Sequence, residues 1–274
     1  MKTRIISGVV AIIIVALVLA LNVYFPIISV FAMSFLSAIA VVEILFATGC
    51  IKEKIVVISA SVFAFLYQFS TSGVFHFSKD ALSLVYLLII VVISLRCYKE
   101  FTPEKISMSI AMPFILSFAF STLGSLINSE YGLFYLLLVF NFASISDICA
   151  YFVGTAIGKT KLAPEISPKK TVEGSIGGLV GSIIGSIIIG LLFMLITDKN
   201  INFLVLVAIT PLLSIVGMIG DLFASAIKRY YKIKDYGNIM PGHGGVLDRL
   251  DSFLLVTPVF VLILNYVEVI AWKI

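Results

Sequence analysis

A polar stretch near the C-terminal end of the chain carries residue types that bind phosphates and divalent cations. Residues 225–251 read SAIKRYYKIKDYGNIMPGHGGVLDRLD in a sequence that is 61% hydrophobic. Glycines let a backbone approach a phosphate, basic side chains neutralise its charge, and carboxylates one helical turn apart, such as Asp248 and Asp251, supply oxygen ligands. A Gly-rich turn or a mixed-charge surface alone would carry no chemistry. Together these features indicate a metal-dependent site for phosphates.

The same stretch resembles the signature of the phosphatidate cytidylyltransferases, also called CDP-diacylglycerol synthases. The matching positions are Ser225, Lys228, Arg229, Lys234, Asp235, Gly237, Pro241, His243, Gly244, Gly245, Asp248, Arg249 and Asp251. Met240 stands where Leu, Ile or Phe is expected, an apolar exchange of little consequence. Residues 167–174, SPKKTVEG, resemble a second polar motif of that family.

The resemblance implies a nucleotidyltransferase of phospholipid biosynthesis. It would join CTP to phosphatidate in the bilayer, giving CDP-diacylglycerol and pyrophosphate, with Mg²⁺ or another divalent cation as cofactor and no nucleic acid as partner. The lipid phosphate would attack the α-phosphorus of CTP in line, so the main demands are charge neutralisation and positioning. A phosphate monoester is already largely ionised near neutral pH, so no strong general base is required.

Site residues follow from this chemistry and this resemblance. Asp221 and Asp248 are the leading predicted metal ligands, and Asp251 and Asp147 are further candidates. The predicted catalytic residues are Asp221, Asp248, Lys228, Arg229 and His243. The predicted substrate-binding residues are Ser167, Lys169, Lys170, Thr171, Glu173, Lys234, Asp235, Gly244, Gly245 and Arg249. His243 either donates to a phosphate oxygen or stabilises the glycine turn.

The elements that must position these residues are membrane helices. The mean hydropathy of +1.16 and the 12% of charged residues exclude a soluble domain of 274 residues. A spanning helix needs about 20 mostly apolar residues, and its backbone must satisfy its own hydrogen bonds in lipid. We therefore predict an all-α, polytopic integral membrane helix bundle of about nine transmembrane helices. The predicted spans are 5–25, 27–49, 55–75, 81–95, 106–127, 131–153, 175–197, 201–220 and 253–272.

No polar linker suggests a second domain, so residues 1–274 are predicted to form one transmembrane catalytic domain. The signature loop would cover residues 221–251 and a second polar loop residues 154–174. The acidic residues inside predicted spans include Asp147 and Glu43. Asp147 is a functional candidate, because an ionisable residue in a span is costly. Glu43 would face a polar cavity, contact another helix, or lie near the inner end of its span.

The basic residues indicate an orientation. If nine helices alternate from an inside N-terminus, all of the 19 basic residues except Lys79, Lys199 and Lys273 fall inside. Positive charge is retained on the cytoplasmic side. We therefore expect a bacterial inner-membrane protein with its N-terminus and active site in the cytoplasm. The same alternation brings the polar motifs to one membrane boundary, namely Asp147, Lys169, Lys170, Asp221 and Asp248.

Small residues recur at four-residue spacing in the seventh predicted span, as in Gly177, Gly181 and Gly185. This pattern predicts close helix packing, either within the chain or in a homodimer. The cysteines at positions 50, 97 and 149 share no metal-ligand spacing, and His76 is the one histidine besides His243, so a zinc site is disfavoured.

Two other functions remain open. A CTP-dependent lipid alcohol kinase would use similar cation and phosphate chemistry, but it would release CDP in place of pyrophosphate. A transporter would also contain many membrane helices, but its binding site is expected near the midplane, whereas the polar motifs here fall at one boundary.

Overall fold

The computed structural model describes residues 2–49, 54–72, 78–99 and 101–271. Cys50, His76 and Lys273 lie outside these ranges. The described chain divides into two compact units. Unit 1 comprises Met1–Asn128 and Tyr230–Leu250, and unit 2 comprises Ser129–Arg229 and Asp251–Ile274. The single catalytic domain expected from the sequence stays a prediction.

Unit 1 is a group of long helices to which the segment 230–250 is added. Its helices are α1 (Lys2–Asn22), α2 (Ile27–Ala47), α3 (Lys54–Thr71), α4 (Lys79–Arg96), α5 (Pro103–Ile127) and the short α10 (Leu247–Leu250). Helix α2 packs against α1, α3 and α5. The ring of Phe63 in α3 stacks on Tyr86 of α4 with 4.4 Å between centroids and lies 4.8 Å from Phe114 of α5. Aromatic packing therefore joins three helices of this unit.

Unit 2 is built around a helix interrupted by one π-helical turn. Its elements are α6 (Gly132–Phe140), the π turn (Asn141–Ile145), α7 (Ser146–Ile157), β1 (Lys161–Ala163), β2 (Ser167–Thr171), α8 (Val172–Thr197), β3 (Asn200–Ile201), α9 (Phe203–Tyr230, of which 203–229 belong here), α11 (Phe253–Leu264) and β4 (Ile270–Ala271). Strand β1 pairs antiparallel with β2, and β3 with β4. The polar loop predicted over residues 154–174 thus contains a β-hairpin.

The glycines of α8 serve a contact within the chain. A Cβ atom at Gly178 would lie 2.8 Å from the carbonyl oxygen of Ser146, and one at Gly174 would lie 2.7 Å from that of Ala150. Cβ atoms at Gly177 and Gly181 would strike side chains of α7. The small residues therefore let the backbones of α7 and α8 approach closely.

The all-α, polytopic membrane class is confirmed. A helix is present at each of the nine predicted positions within the described ranges, and seven of these helices are long and apolar enough to cross a membrane. The other two are α4, which includes Lys79, Asp80 and Arg96, and α11, which has 12 residues. The seven-helix count concerns the described residues alone.

Two predicted spans end at residues where the helices do not end. Helix α9 does not end before Asp221 but continues to Tyr230, so the first residues of the predicted signature loop are helical. The last predicted span, 253–272, is helical only to Leu264, after which the chain turns into β4. Hydropathy measures the affinity of a segment for lipid and does not mark where helical hydrogen bonding stops.

Candidate active site

A lysine between two carboxylates forms the centre of a charged cluster in unit 2. The Nζ atom of Lys170, in β2, lies 2.6 Å from Oδ2 of Asp221 in α9 and 3.5 Å from Oδ1 of Asp147 in α7. Burial alone would lower the pKa of the Lys170 ammonium, but the two carboxylates outweigh it and raise that pKa above its ordinary value. Lys170 therefore keeps its charge. Three predicted site residues, more than twenty positions apart in sequence, meet here.

Asp251 adds a third carboxylate to this cluster. Burial, and then the neighbouring Asp221 carboxylate, raise the pKa of Asp251 from its ordinary 3.8 to about 6. Lys228 and the backbone N–H of Ser252 partly offset this rise. A Cβ atom at Gly220 would lie 3.0 Å from the carbonyl oxygen of Asp251, so this glycine lets the Asp251 backbone approach α9 beside Asp221.

The β-hairpin that carries Lys170 is held by capping contacts. Thr171 is the N-cap of α8, and its Oγ1 accepts a hydrogen bond from Gly174 N at 3.1 Å. The Glu173 carboxylate accepts from the backbone N–H groups of Lys159 and Thr160, both at 3.1 Å. Thr171 and Glu173, predicted to bind substrate, thus make local contacts that fix the start of α8 and the hairpin.

The remaining basic and polar residues predicted in unit 2 lie at or near its surface. Ser167 pairs with Ala163 in the hairpin register, and Lys169 is exposed. Nε of the exposed Arg229 donates to the carbonyl oxygen of Ile166 at 3.3 Å. The end of α9 is therefore joined to the hairpin, and charged groups of both elements lie near the Lys170 cluster.

The glycine turn of unit 1 is closed by its own backbone. The N–H of Met240 donates to the carbonyl oxygen of Gly244 at 2.9 Å, and Gly242 and Gly244 have φ values of 80° and 85°. These values favour glycine. The Nδ1 atom of His243 lies 2.7 Å from Oγ of Ser7, and that hydroxyl also donates to the carbonyl oxygen of Pro241. His243 therefore has a structural partner in α1.

Asp248 holds the signature segment, residues 230–250, together within unit 1. Its Oδ2 accepts hydrogen bonds from the backbone N–H groups of Tyr236 at 2.8 Å and Gly245 at 3.0 Å. The Asp248 side chain and that of Asp235 both lie against Gly244. Lys234, Asp235 and Arg249 are exposed. Asp221 belongs to unit 2 and Asp248 to unit 1, so the sharing of one cation by these two residues stays a prediction.

Glu43 is a hydrogen-bond partner of the signature segment that the sequence did not reveal as such. It lies in α2, is 4% exposed, and accepts hydrogen bonds from the backbone N–H groups of Val246 at 3.0 Å and Leu247 at 2.8 Å. A lone acidic residue in an apolar span was the available signal. The sequence alone does not indicate that this carboxylate accepts a hydrogen bond from a residue 203 positions later.

The donor set of unit 2 suits a hard divalent cation. Mg²⁺ is usually held by one or two carboxylates, with water and substrate oxygens completing its shell. Asp221 and Asp251 are neighbouring carboxylates whose mutual repulsion a cation would relieve. Among the described residues, no cluster of three or more His, Cys, Asp or Glu side chains forms a metal site of protein ligands alone. The residues present therefore fit a cation shared with substrate.

Comparisons with known proteins place this chain in a family. The profile of the cytidylyltransferase family matches residues 2–267. A protein of Bacillus subtilis (strain 168) named phosphatidate cytidylyltransferase is 36% identical over 182 residues, which are 66% of this chain and 66% of the relative. Proteins of the same name from Staphylococcus saprophyticus and Staphylococcus haemolyticus are 41% and 39% identical over 133 residues, which are 48% of this chain and 50% of each relative. The matched regions thus span from half to about two thirds of these relatives. The chain belongs to the cytidylyltransferase family.

Proposed function

We propose that this protein is a phosphatidate cytidylyltransferase, which converts CTP and phosphatidate into CDP-diacylglycerol and pyrophosphate. The relatives with that name support the substrate pair. The observation that carries the proposal is the partly exposed cluster of Lys170, Asp147 and Asp221 with Asp251 beside it, in a chain whose helices suit a membrane. Such a cluster suits a reaction between two polyanions, because it provides fixed positive charge and carboxylate ligands together.

The reaction requires one bond to form and one to break. An oxygen of the phosphatidate phosphate forms a bond to the α-phosphorus of CTP, while the bond from that phosphorus to the oxygen bridging to the β-phosphate breaks. The electron pair leaves with pyrophosphate. The attacking phosphate monoester has a second pKa of about 6, so it needs no side chain to remove a proton.

The chain's own residues bind and orient the substrates. Lys170 remains protonated between its carboxylates and would neutralise a phosphate oxygen of the bound substrate. Lys228 and Arg229 on the last turn of α9 offer further positive charge beside it. Lys169, Lys234 and Arg249 are exposed cations for the triphosphate or the lipid phosphate. His243 is assigned to stabilising the glycine turn, because its Nδ1 already bonds to Ser7.

Asp221 and Asp251 would hold the divalent cation, with Asp147 as an additional ligand. When bound, this cation would neutralise charge on the phosphates and help to align them. Asp248 is assigned first to its backbone contacts, and its role as a ligand remains part of the proposal.

We place the reaction at the cytoplasmic boundary of a bacterial inner membrane, where the lipid phosphate and the soluble nucleotide can meet. The distribution of basic residues supports this placement. A homodimer remains a prediction, and the α8 glycines give it no support because they pack against α7.

Two labels on CTP provide the test. Purified protein in detergent is incubated with phosphatidate, Mg²⁺ and CTP that carries the label on either the α- or the γ-phosphate. We expect the α-label in CDP-diacylglycerol and the γ-label in pyrophosphate. Transfer of the γ-label to an added lipid alcohol, with release of CDP, would identify a kinase and overturn the proposal. Reactions without phosphatidate or without Mg²⁺ are the controls.

A further inference from the structure

Glu43 is buried within unit 1 without a basic partner among the residues that the structure describes. It is the one charged residue of α2, and its carboxylate is aimed at backbone N–H groups of the signature segment. A buried carboxylate is costly unless hydrogen bonds satisfy it, and hydrogen bonds to an ionised group are the stronger ones. These two contacts therefore constitute a strong specific link between α2 and the signature segment.

The segment is shaped around this carboxylate. Cβ atoms at Gly237 and at Gly245 would each strike the Glu43 side chain, with its Cδ atom at 2.7 Å and 2.5 Å respectively. Both glycines belong to the signature, and neither has a positive φ. Their small size is thus explained by the space that Glu43 takes.

Glu43 and Asp248, both in unit 1, accept hydrogen bonds from different backbone donors of the segment. Glu43 accepts from Val246 and Leu247, whereas Asp248 accepts from Tyr236 and Gly245. Asp248 therefore joins the two ends of the glycine turn to each other. Glu43 joins the turn to a membrane helix.

We infer that Glu43 is a positioning residue that fixes the signature segment on α2 and thereby sets where its phosphate-binding groups lie. It acts through the backbone of residues 245–247 and does not touch substrate. This inference rests on the proposed function for its catalytic consequence, whereas the structural link can be measured without any turnover.

The structural test follows the release of the segment. In a variant whose three native cysteines are replaced by serine, Val246→Cys reports on the segment and Ala60→Cys, in the core of α3, reports on the rest of unit 1. Both positions are buried, at 3% and 0% exposure. We expect Glu43→Gln to speed maleimide labelling at position 246 by about tenfold, as for loss of a hydrogen bond to a charged group. Labelling at position 60 should change less than about twofold, since no contact there is lost.

The catalytic test compares two replacements. Glutamine matches the volume of Glu43, but its side-chain NH2 group would face a backbone N–H group and could not accept its hydrogen bond. Aspartate is shorter but keeps two acceptor oxygens. We expect Glu43→Gln to lower turnover by at least about tenfold and Glu43→Asp to restore part of it. Glu104→Gln is the control, because its carboxylate accepts an exposed hydrogen bond from the Tyr231 hydroxyl and not from the backbone of residues 245–247. It should remain within about threefold of the wild type.

The outcomes separate the inference from the proposed function. Unchanged labelling at position 246 in Glu43→Gln, or Glu43→Gln more active than Glu43→Asp, would overturn the positioning role. If Glu43→Gln does not fold, Gly237→Ala provides the same test, since its methyl group would push the segment away from an intact Glu43. A wild type without cytidylyl transfer would refute the proposed function, and the labelling result would still decide the role of Glu43.

Discussion

Lys170 is the residue on which the charged cluster of unit 2 depends. Its ammonium lies between Asp147 and Asp221, and those two carboxylates hold its charge against the effect of burial. Lysine is suited to this place because its compact charge can pair with carboxylates in one state and with a phosphate oxygen in another.

Asp221 is the carboxylate most closely engaged in this cluster, and we expect Asp221→Asn to lower cytidylyl transfer by at least about 100-fold. The substitution removes a charge that pairs with Lys170 and a proposed cation ligand while preserving volume. Steady-state assays with labelled CTP measure the effect. Asp198→Asn is the matched control, since Asp198 is exposed and has a φ of 53°, which asparagine tolerates. Wild-type turnover in Asp221→Asn would contradict the assignment.

Asp147 lies farther from Lys170 than Asp221 does, so we expect a smaller effect there. Asp147→Asn should raise the Mg²⁺ concentration needed for half-maximal activity by several-fold, because the cluster loses negative charge that attracts a cation. A magnesium titration of initial rates measures this shift. An unchanged titration curve would show that Asp147 only packs against Lys170.

Asp251 should titrate near neutrality in protein freed of divalent cations. Its pKa of about 6 lies above the ordinary 3.8, so its protonated form contributes stability that is fully present below about pH 3.8 and lost as the pH rises through about 6. Infrared titration should show a carboxyl band that disappears with a midpoint near pH 6. The band should be absent in Asp251→Asn, and Mg²⁺ should lower the midpoint. A midpoint near 4 would contradict the burial of this group.

Residue types and spacing predicted the members of the charged cluster but not all of their contacts. The sequence alone makes Asp147, Lys170 and Asp221 candidates, and the structure brings them together. The hydrogen bonds of Glu43 could not be predicted, because they join side-chain oxygens to backbone groups that any residue would offer.

Helix α8 shows how one element can position another. Its glycines allow α7, which begins with Ser146 and Asp147, to approach within backbone contact. The cap at Thr171 then fixes the hairpin that carries Lys170. Two sides of the charged cluster are thus set by a single helix.

This packing predicts that Gly178→Ala destabilises unit 2 by about 1–3 kcal/mol, because its methyl group would meet the Ser146 carbonyl oxygen. Thermal unfolding in detergent measures the loss. Val180→Ile adds similar bulk on a face that is 52% exposed and should leave the melting temperature nearly unchanged. Equal melting temperatures for the two variants would show that α7 and α8 tolerate a wider separation.

Hydropathy predicted the positions of the helices because each long apolar run must satisfy its own backbone in lipid. It missed the helical turns after Asp221, since an amphipathic extension carrying Lys228 and Arg229 resembles a polar loop in composition. It also missed the hairpin at 161–171, whose strands have no apolar alternation to reveal them.

At the scale of the whole molecule, the orientation can be tested at the two ends of α8. This helix of 26 residues is long enough to cross a membrane, with Glu165 before it and Lys199 after it. We expect a membrane-impermeant maleimide to label Lys199→Cys in spheroplasts and Glu165→Cys only in inverted vesicles. The reverse pattern would place the Lys170 cluster on the outer side and contradict the proposed access of CTP.

The division into two units has a consequence for the order in which the protein is made. Glu43 is synthesised early, but its hydrogen-bond donors at 246 and 247 follow 203 or more residues later. Until then the nascent α2 has an acidic side chain in an apolar span with neither donor available. Unit 1 can therefore reach its final state only after residues 246 and 247 have left the ribosome, and a truncated product that stops before residue 246 would retain this unsatisfied acid.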